Sequence, residues 1–108
     1  MQEFKIDVWN SLYLQGNYIA AELKTSNKGL RKWIAIYPLK SDKTSMYKFT
    51  VLQFELKIEL TNEYFSEEDK LNQKGFYVKN KEELISLLGE LNIPLINFTY
   101  PWRCDYPL

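Results

Sequence analysis

The residues able to do chemistry are spread unevenly, and carboxylates crowd most densely in Leu52–Asp69, LQFELKIELTNEYFSEED. Glu55, Glu59, Glu63, Glu67, Glu68 and Asp69 stand there with Lys57 as the single cation, in a chain whose formal net charge is zero. Two carboxylates can cleave a glycosidic bond as acid and base. These acids fall on a strand face and in the loop after it, and no spacing marks two of them as a pair. The chain has no histidine and one cysteine, Cys104. Histidine is the usual general base near neutral pH and the commonest metal ligand. Its absence excludes Ser–His and Cys–His nucleophile pairs, and one thiol cannot build a structural zinc cage. Cys104 has Arg103 beside it in sequence but no base to activate it, so it reads as a small buried hydrophobe. The glycines form neither GxGxxG nor GxxxxGK[ST], so no phosphate loop is present. The expectation is a protein that is not an enzyme, with no metal and no cofactor.

Whatever these residues do, strands and one helix must position them. Phe4-Lys5-Ile6-Asp7-Val8 alternates with period two, as a half-buried strand does. Tyr13 to Lys24 reads as a second strand, interrupted at Gly16-Asn17, with Ile19, Ala21 and Leu23 on one face. Ser26-Asn27-Lys28-Gly29 signals a hairpin. The apolar run Lys32–Tyr37, ended by Pro38, suits a central strand covered on both faces, or one packed against a helix. Tyr47–Leu60 is expected to be the longest strand, bulged near Val51-Leu52 where its apolar parity changes. Leu52, Phe54, Leu56, Ile58 and Leu60 would then face the core together with Leu84, Leu87, Leu88 and Leu91, leaving Gln53, Glu55 and Glu59 on a solvated face. Ser66-Glu67-Glu68-Asp69 caps a short helical turn. Phe76-Tyr77-Val78 is a short strand. Asn80 then caps a helix, with Glu83 three residues on and a stripe of Leu84, Ile85, Leu87, Leu88 and Leu91. Gly89 allows close packing on the sheet, and Leu95–Phe98 forms a last strand. The predicted fold is α+β: one domain over 1–108, an antiparallel meander of four to five strands with one main helix in the C-terminal half on one face.

At 108 residues the chain can bury one core but not two. Its 45% apolar and 26% charged shares are those of a soluble globular protein. No apolar run reaches the roughly 20 residues of a membrane helix, and MQEFKIDVWN lacks the pattern of a signal peptide. With a lone cysteine, this predicts a cytoplasmic protein without membrane contact. Lys28, Arg31, Lys32, Lys40, Lys43 and Lys48 interleave with aromatics, but loops and strand ends explain them, and direct nucleic-acid binding is not expected.

Two surfaces remain as candidates. The acids Glu55, Glu59, Glu63, Glu67, Glu68 and Asp69, with Tyr64 and Phe65 among them, are either a solvated face or a docking surface for a basic partner. In the tail YPWRCDYPL, two prolines preclude regular structure. Trp102 and Tyr106 either pack back on the core edge or, with Arg103, form part of an interface, where Trp, Tyr and Arg are enriched.

The order YLQGNYIAAELKT, KWIAIYPLK, LQFELKIEL and GFYVKNKEELISLLGELNI resembles small cytoplasmic immunity proteins of bacterial polymorphic-toxin and contact-dependent growth inhibition systems. The likeness is of style, over most of the chain, and carries over no individual binding residue. It implies a protein that neutralises one cognate toxin domain, commonly a nuclease, by covering its active site or substrate groove. An acidic face suits a basic RNase of that kind. The expected contact residues are Glu55, Glu59, Glu63, Tyr64, Glu67, Glu68 and Asp69, with Trp102, Arg103 and Tyr106 secondary. The alternatives are a regulatory protein-interaction module, or a small-molecule binder with an aromatic-lined pocket.

Overall fold

The computed structural model describes residues 3–25, 28–39, 47–60 and 66–107. Four antiparallel strands pair in chain order, β1 (Ile19–Leu23), β2 (Leu30–Pro38), β3 (Phe49–Lys57) and β4 (Leu71–Val78). Helix α1 (Ile6–Tyr13) precedes the sheet and the longer α2 (Lys81–Glu90) follows it, so the class is α+β as predicted.

The expected first strand is α1. Phe4, Val8 and Leu12 recur every fourth residue and are buried together, while Ile6, which a strand would place on the same face, is 79% exposed, as on a helix. The period-two reading of Phe4–Val8 was too short a window to see it. Gly16 takes a left-handed φ of 71°, which turns the chain out of the helix toward β1. α2 forms as its cap signals imply. Asn80 Oδ1 accepts from Glu83 N–H at 2.8 Å, and Glu83 Oε2 accepts from Lys79 N–H at 2.8 Å. Asn92, at φ 59°, and Pro94 end it. Gly89 is exposed, with open space where a Cβ would stand, so it is not a close-packing residue.

β2 and β3 are the central strands, nine residues each, and both are covered on two sides. This accounts for the parity change in β3 without the predicted bulge. Phe49 and Val51 face α1 and α2, while Leu52, Phe54 and Leu56 face the other way. The helix face gathers the row Ile19–Ile36–Val51–Phe76 with Val8, Leu12, Leu84, Leu88 and Phe98. The expected union of Leu56 with Leu84 and Leu88 is therefore wrong, since the sheet lies between them. Ile58 and Leu60 have left the strand for a 3-10 turn (Ile58–Leu60), and Ile58 is exposed. The irregularity sits further along, where β4 carries an extra residue between the pairs Gln53↔Lys74 and Glu55↔Leu71.

The opposite face is covered by the C-terminal tail. Leu95–Phe98 is not a strand: Pro94 opens a 3-10 turn, Leu95–Asn97, and only Thr99 pairs with the sheet, exchanging two backbone bonds with Ala20. The chain then passes the β1 edge into a second turn, Pro101–Arg103, and crosses to the far face. β1 and β2 pair as consecutive antiparallel strands; of the expected turn Ser26–Gly29, Ser26 and Asn27 lie outside the described residues.

Candidate functional site

The acids of the Leu52–Asp69 stretch do not share one environment. Glu55 is 7% exposed, because β3 is a central strand and its odd-numbered side chains face the helices. Thr25 Oγ1 donates to its Oε2 at 3.2 Å and Asn72 Nδ2 to its Oε1 at 3.3 Å. The β4 bulge makes the second bond possible, with Asn72 in a left-handed φ of 51° beside the Glu55↔Leu71 pair. Glu55 is thus a structural group, and its expected role as a solvated contact residue is corrected. Gln53, on the same face, is buried too.

Glu59, in the turn after β3, and Glu68, in the 3-10 turn Glu67–Asp69 before β4, are exposed at one end of the sheet. Asp69 is turned back on its own loop: Oδ2 accepts from Ser66 N–H at 2.8 Å and from its hydroxyl at 3.2 Å, which realises the predicted capped turn. Glu63 and Tyr64 lie outside the described residues, as does the side chain of Glu67. Lys24, Lys28 and Lys57 are exposed at the same end, and the Lys70 ammonium lies 5.5 Å from the centre of the Phe54 ring. A partner would meet Glu59 and Glu68 among lysines, a patterned surface rather than a uniformly acidic one.

The tail is held with more definition. Arg31, on β2, forks onto Glu22 with two 2.8 Å bonds and reaches Asp105 Oδ2 at 3.4 Å. Its guanidinium lies 4.8 Å from the centre of the Trp33 ring. Bonding to Glu22 holds the Arg31 pKa above its already high ordinary value, so its charge is permanent. Trp33 Nε1 donates to the Cys104 carbonyl at 2.8 Å, and the Tyr37 and Tyr106 hydroxyls are 2.6 Å apart. Burial raises the pKa of both tyrosines and of the Cys104 thiol, so all three stay protonated at neutral pH. Tyr106, 8% exposed, packs on Tyr18, Tyr37 and Phe54 over Ala20 and Ala35, whose small side chains leave it room. The reading of Tyr106 as an exposed contact is corrected: it anchors the tail.

Trp102 does the opposite. It is 72% exposed and stacks on Tyr100, with centroids 5.0 Å apart and planes 3° from parallel. Arg103 lies 5.7 Å from the Tyr100 ring centre, and Tyr100 Oη donates to Asp7 Oδ2 on α1 at 3.2 Å. A large aromatic is therefore presented to solvent on a turn fixed at both ends, beside β1 rather than beside the acids of the β3–β4 end. The structure does not join the two candidate surfaces into one.

The sequence reading missed the Arg31–Glu22–Asp105 clamp and the Trp33–Cys104 bond, which link positions more than 70 residues apart. A usable signal was Ala35 inside the otherwise bulky run Lys32–Tyr37, a small residue in a buried strand marking where something large sits. Clefts open among the described residues. One of about 380 Å³ lies between Glu22–Lys24, Lys32 and the segment Leu91–Asn97. One of about 260 Å³ is lined by Trp9, Tyr13 and Phe49 with Lys48 and Lys81. The second is the aromatic-lined one, and it falls below the roughly 300 Å³ at which ligand pockets usually begin. Among the described residues no three Cys, Asp or Glu side chains are grouped to hold a metal ion, and no helix is long and apolar enough to cross a membrane. Compared with family models, with curated proteins and with solved structures, the chain matches none.

Proposed function

We propose that this chain is a non-catalytic protein-binding domain of the immunity type, acting in the cytoplasm to neutralise one cognate toxin domain, of basic nuclease character. The observation that carries the reading is Trp102: exposed, stacked on Tyr100, flanked by Arg103, and mounted on a clamped turn. Trp and Arg are the residues most enriched where a few contacts supply most of an interface's energy. Their fixed placement spares the ordering cost of binding. Glu59 and Glu68 supply a negative element that acts on association rate and partner sign. The resemblance of the sequence to small immunity proteins supplies the toxin as the partner class.

The test is co-purification from the native host with mass spectrometry of what is retained, followed by a nuclease assay of the retained protein. A single basic domain should be recovered, active alone and silent in complex. Trp102→Ala should weaken that complex by about 2 kcal/mol or more, some 30-fold in Kd. Glu59→Gln with Glu68→Gln should mainly slow association at low salt. Retention untouched by Trp102→Ala, or turnover of nucleic acid by the purified chain itself, would refute the reading.

A further inference from the structure

The two edges of the sheet are finished differently. At β1, Thr99 exchanges two backbone hydrogen bonds with Ala20, at 2.8 and 3.0 Å, and the tail runs past. At β4, among the described residues, no backbone segment pairs with the outer side. The Val78 carbonyl accepts the Lys48 N–H at 2.9 Å and so points into the sheet. Strand alternation then turns the N–H and C=O of Gly75 and Tyr77 outward. A row of unpaired backbone groups is a template for another strand, and natural edges are blunted by charge, proline or a bulge. β4 is bulged near Asn72, but from Lys74 to Val78 it runs regularly against β3, with one charge and no proline.

We propose that β4 is the pairing edge of a homodimer, two copies joined antiparallel about Phe76 into one eight-stranded sheet. A two-fold axis normal to the sheet keeps each face on its own side, so only residues of the same face can stand opposite one another. Centring on Lys74 would set two ammonium groups against each other, which is unfavourable. Centring on Phe76 sets Gly75 opposite Tyr77 of the second copy, twice, and these are the residues whose backbone groups point outward. Lys74 then faces Val78, and no like charges meet. The side chains agree with this register. Tyr77, its ring tilted against Tyr47 with centroids 5.6 Å apart, is still 64% exposed on the face the tail leaves open, and nothing lies within 4 Å of a Cβ built on Gly75. The Tyr77 ring of one copy therefore covers the Gly75 of the other, the pairing by which an aromatic compensates an edge glycine.

Sedimentation and light scattering from micromolar to millimolar protein test this. The mass should rise from monomer to dimer and stop there, while the amides of Gly75 and Tyr77 gain protection from hydrogen exchange with concentration. Tyr77→Pro removes an outward N–H and no bond to β3, and should abolish the dimer. Tyr77→Ala keeps the backbone donor and is the safer variant for folding. Losing two ring-on-glycine contacts by symmetry, it should weaken the dimer about tenfold. A wild-type chain that stays monomeric at millimolar concentration overturns the proposal, as does open-ended aggregation, or a dimer that Tyr77→Ala leaves unchanged.

Discussion

On its helix face the sheet meets Phe4, Val8 and Leu12 of the α1 region and Leu84 and Leu88 of α2, and the contacts are almost wholly apolar. On its tail face it meets an irregular segment through Trp33, Phe54, Tyr37 and Tyr106, and the contacts include an indole-to-carbonyl bond, a hydroxyl pair and the Arg31 fork. The difference follows from what covers each face. A helix satisfies its own backbone and offers a repeating apolar stripe, so burial alone holds it. A tail broken by Pro101 and Pro107 leaves backbone groups without helix or strand partners, and the sheet's side chains must answer them. One face is held by area, the other by a few directional bonds, and a tail held that way can be loosened piecemeal.

The comparison can be broken at its strong side first. Leu84→Ala removes a fully buried side chain from the helix face and should cost about 2–5 kcal/mol in urea unfolding. A loss under about 1 kcal/mol would mean that α2 is not an integral part of the core. On the other face, Trp33→Phe keeps most of the ring but leaves the Cys104 carbonyl without its indole donor, an expected loss of roughly 1–3 kcal/mol. Cys104 should also react faster with a thiol reagent while the far-ultraviolet circular dichroism stays unchanged. If Cys104 becomes reactive only when the whole chain unfolds, the tail is not a separable layer.

Tyr106→Phe deletes the 2.6 Å hydroxyl contact at about 0.5–1.5 kcal/mol, with a signature in pH. Tyr37 and Tyr106 hold their protons more tightly in the folded chain than in the unfolded one, chiefly through burial. Their contribution is therefore complete below the ordinary phenol value of about 10 and is lost as pH climbs from there. Melting temperature should be flat through neutral pH and fall above about pH 10, less steeply in Tyr106→Phe. The smallest effect belongs to Trp102→Ala, expected within about 0.5 kcal/mol of wild type in stability. A larger loss would make Trp102 a structural residue and remove it from the proposed interface.

By itself the sequence determined the α+β class, the order of the meander, the central place of β2 and the capped helix α2. Each of these rests on periodicity or on cap chemistry within a few residues, which local reading can see. It also showed that the acids and the tail aromatics were the residues to watch. Tertiary structure alone decided which of them reach solvent. Glu55 looked exposed because it alternates with apolar neighbours, but β3 has a covering layer on both sides, so alternation no longer separates inside from outside. Tyr106 and Trp102 are four residues apart in the same irregular tail, with nothing local to tell them apart. The trough over Ala20 and Ala35 takes in one ring, and the turn at Pro101–Arg103 turns the other out. That trough is formed by strands more than 60 residues away in sequence, which is why only the folded chain could assign the two their roles.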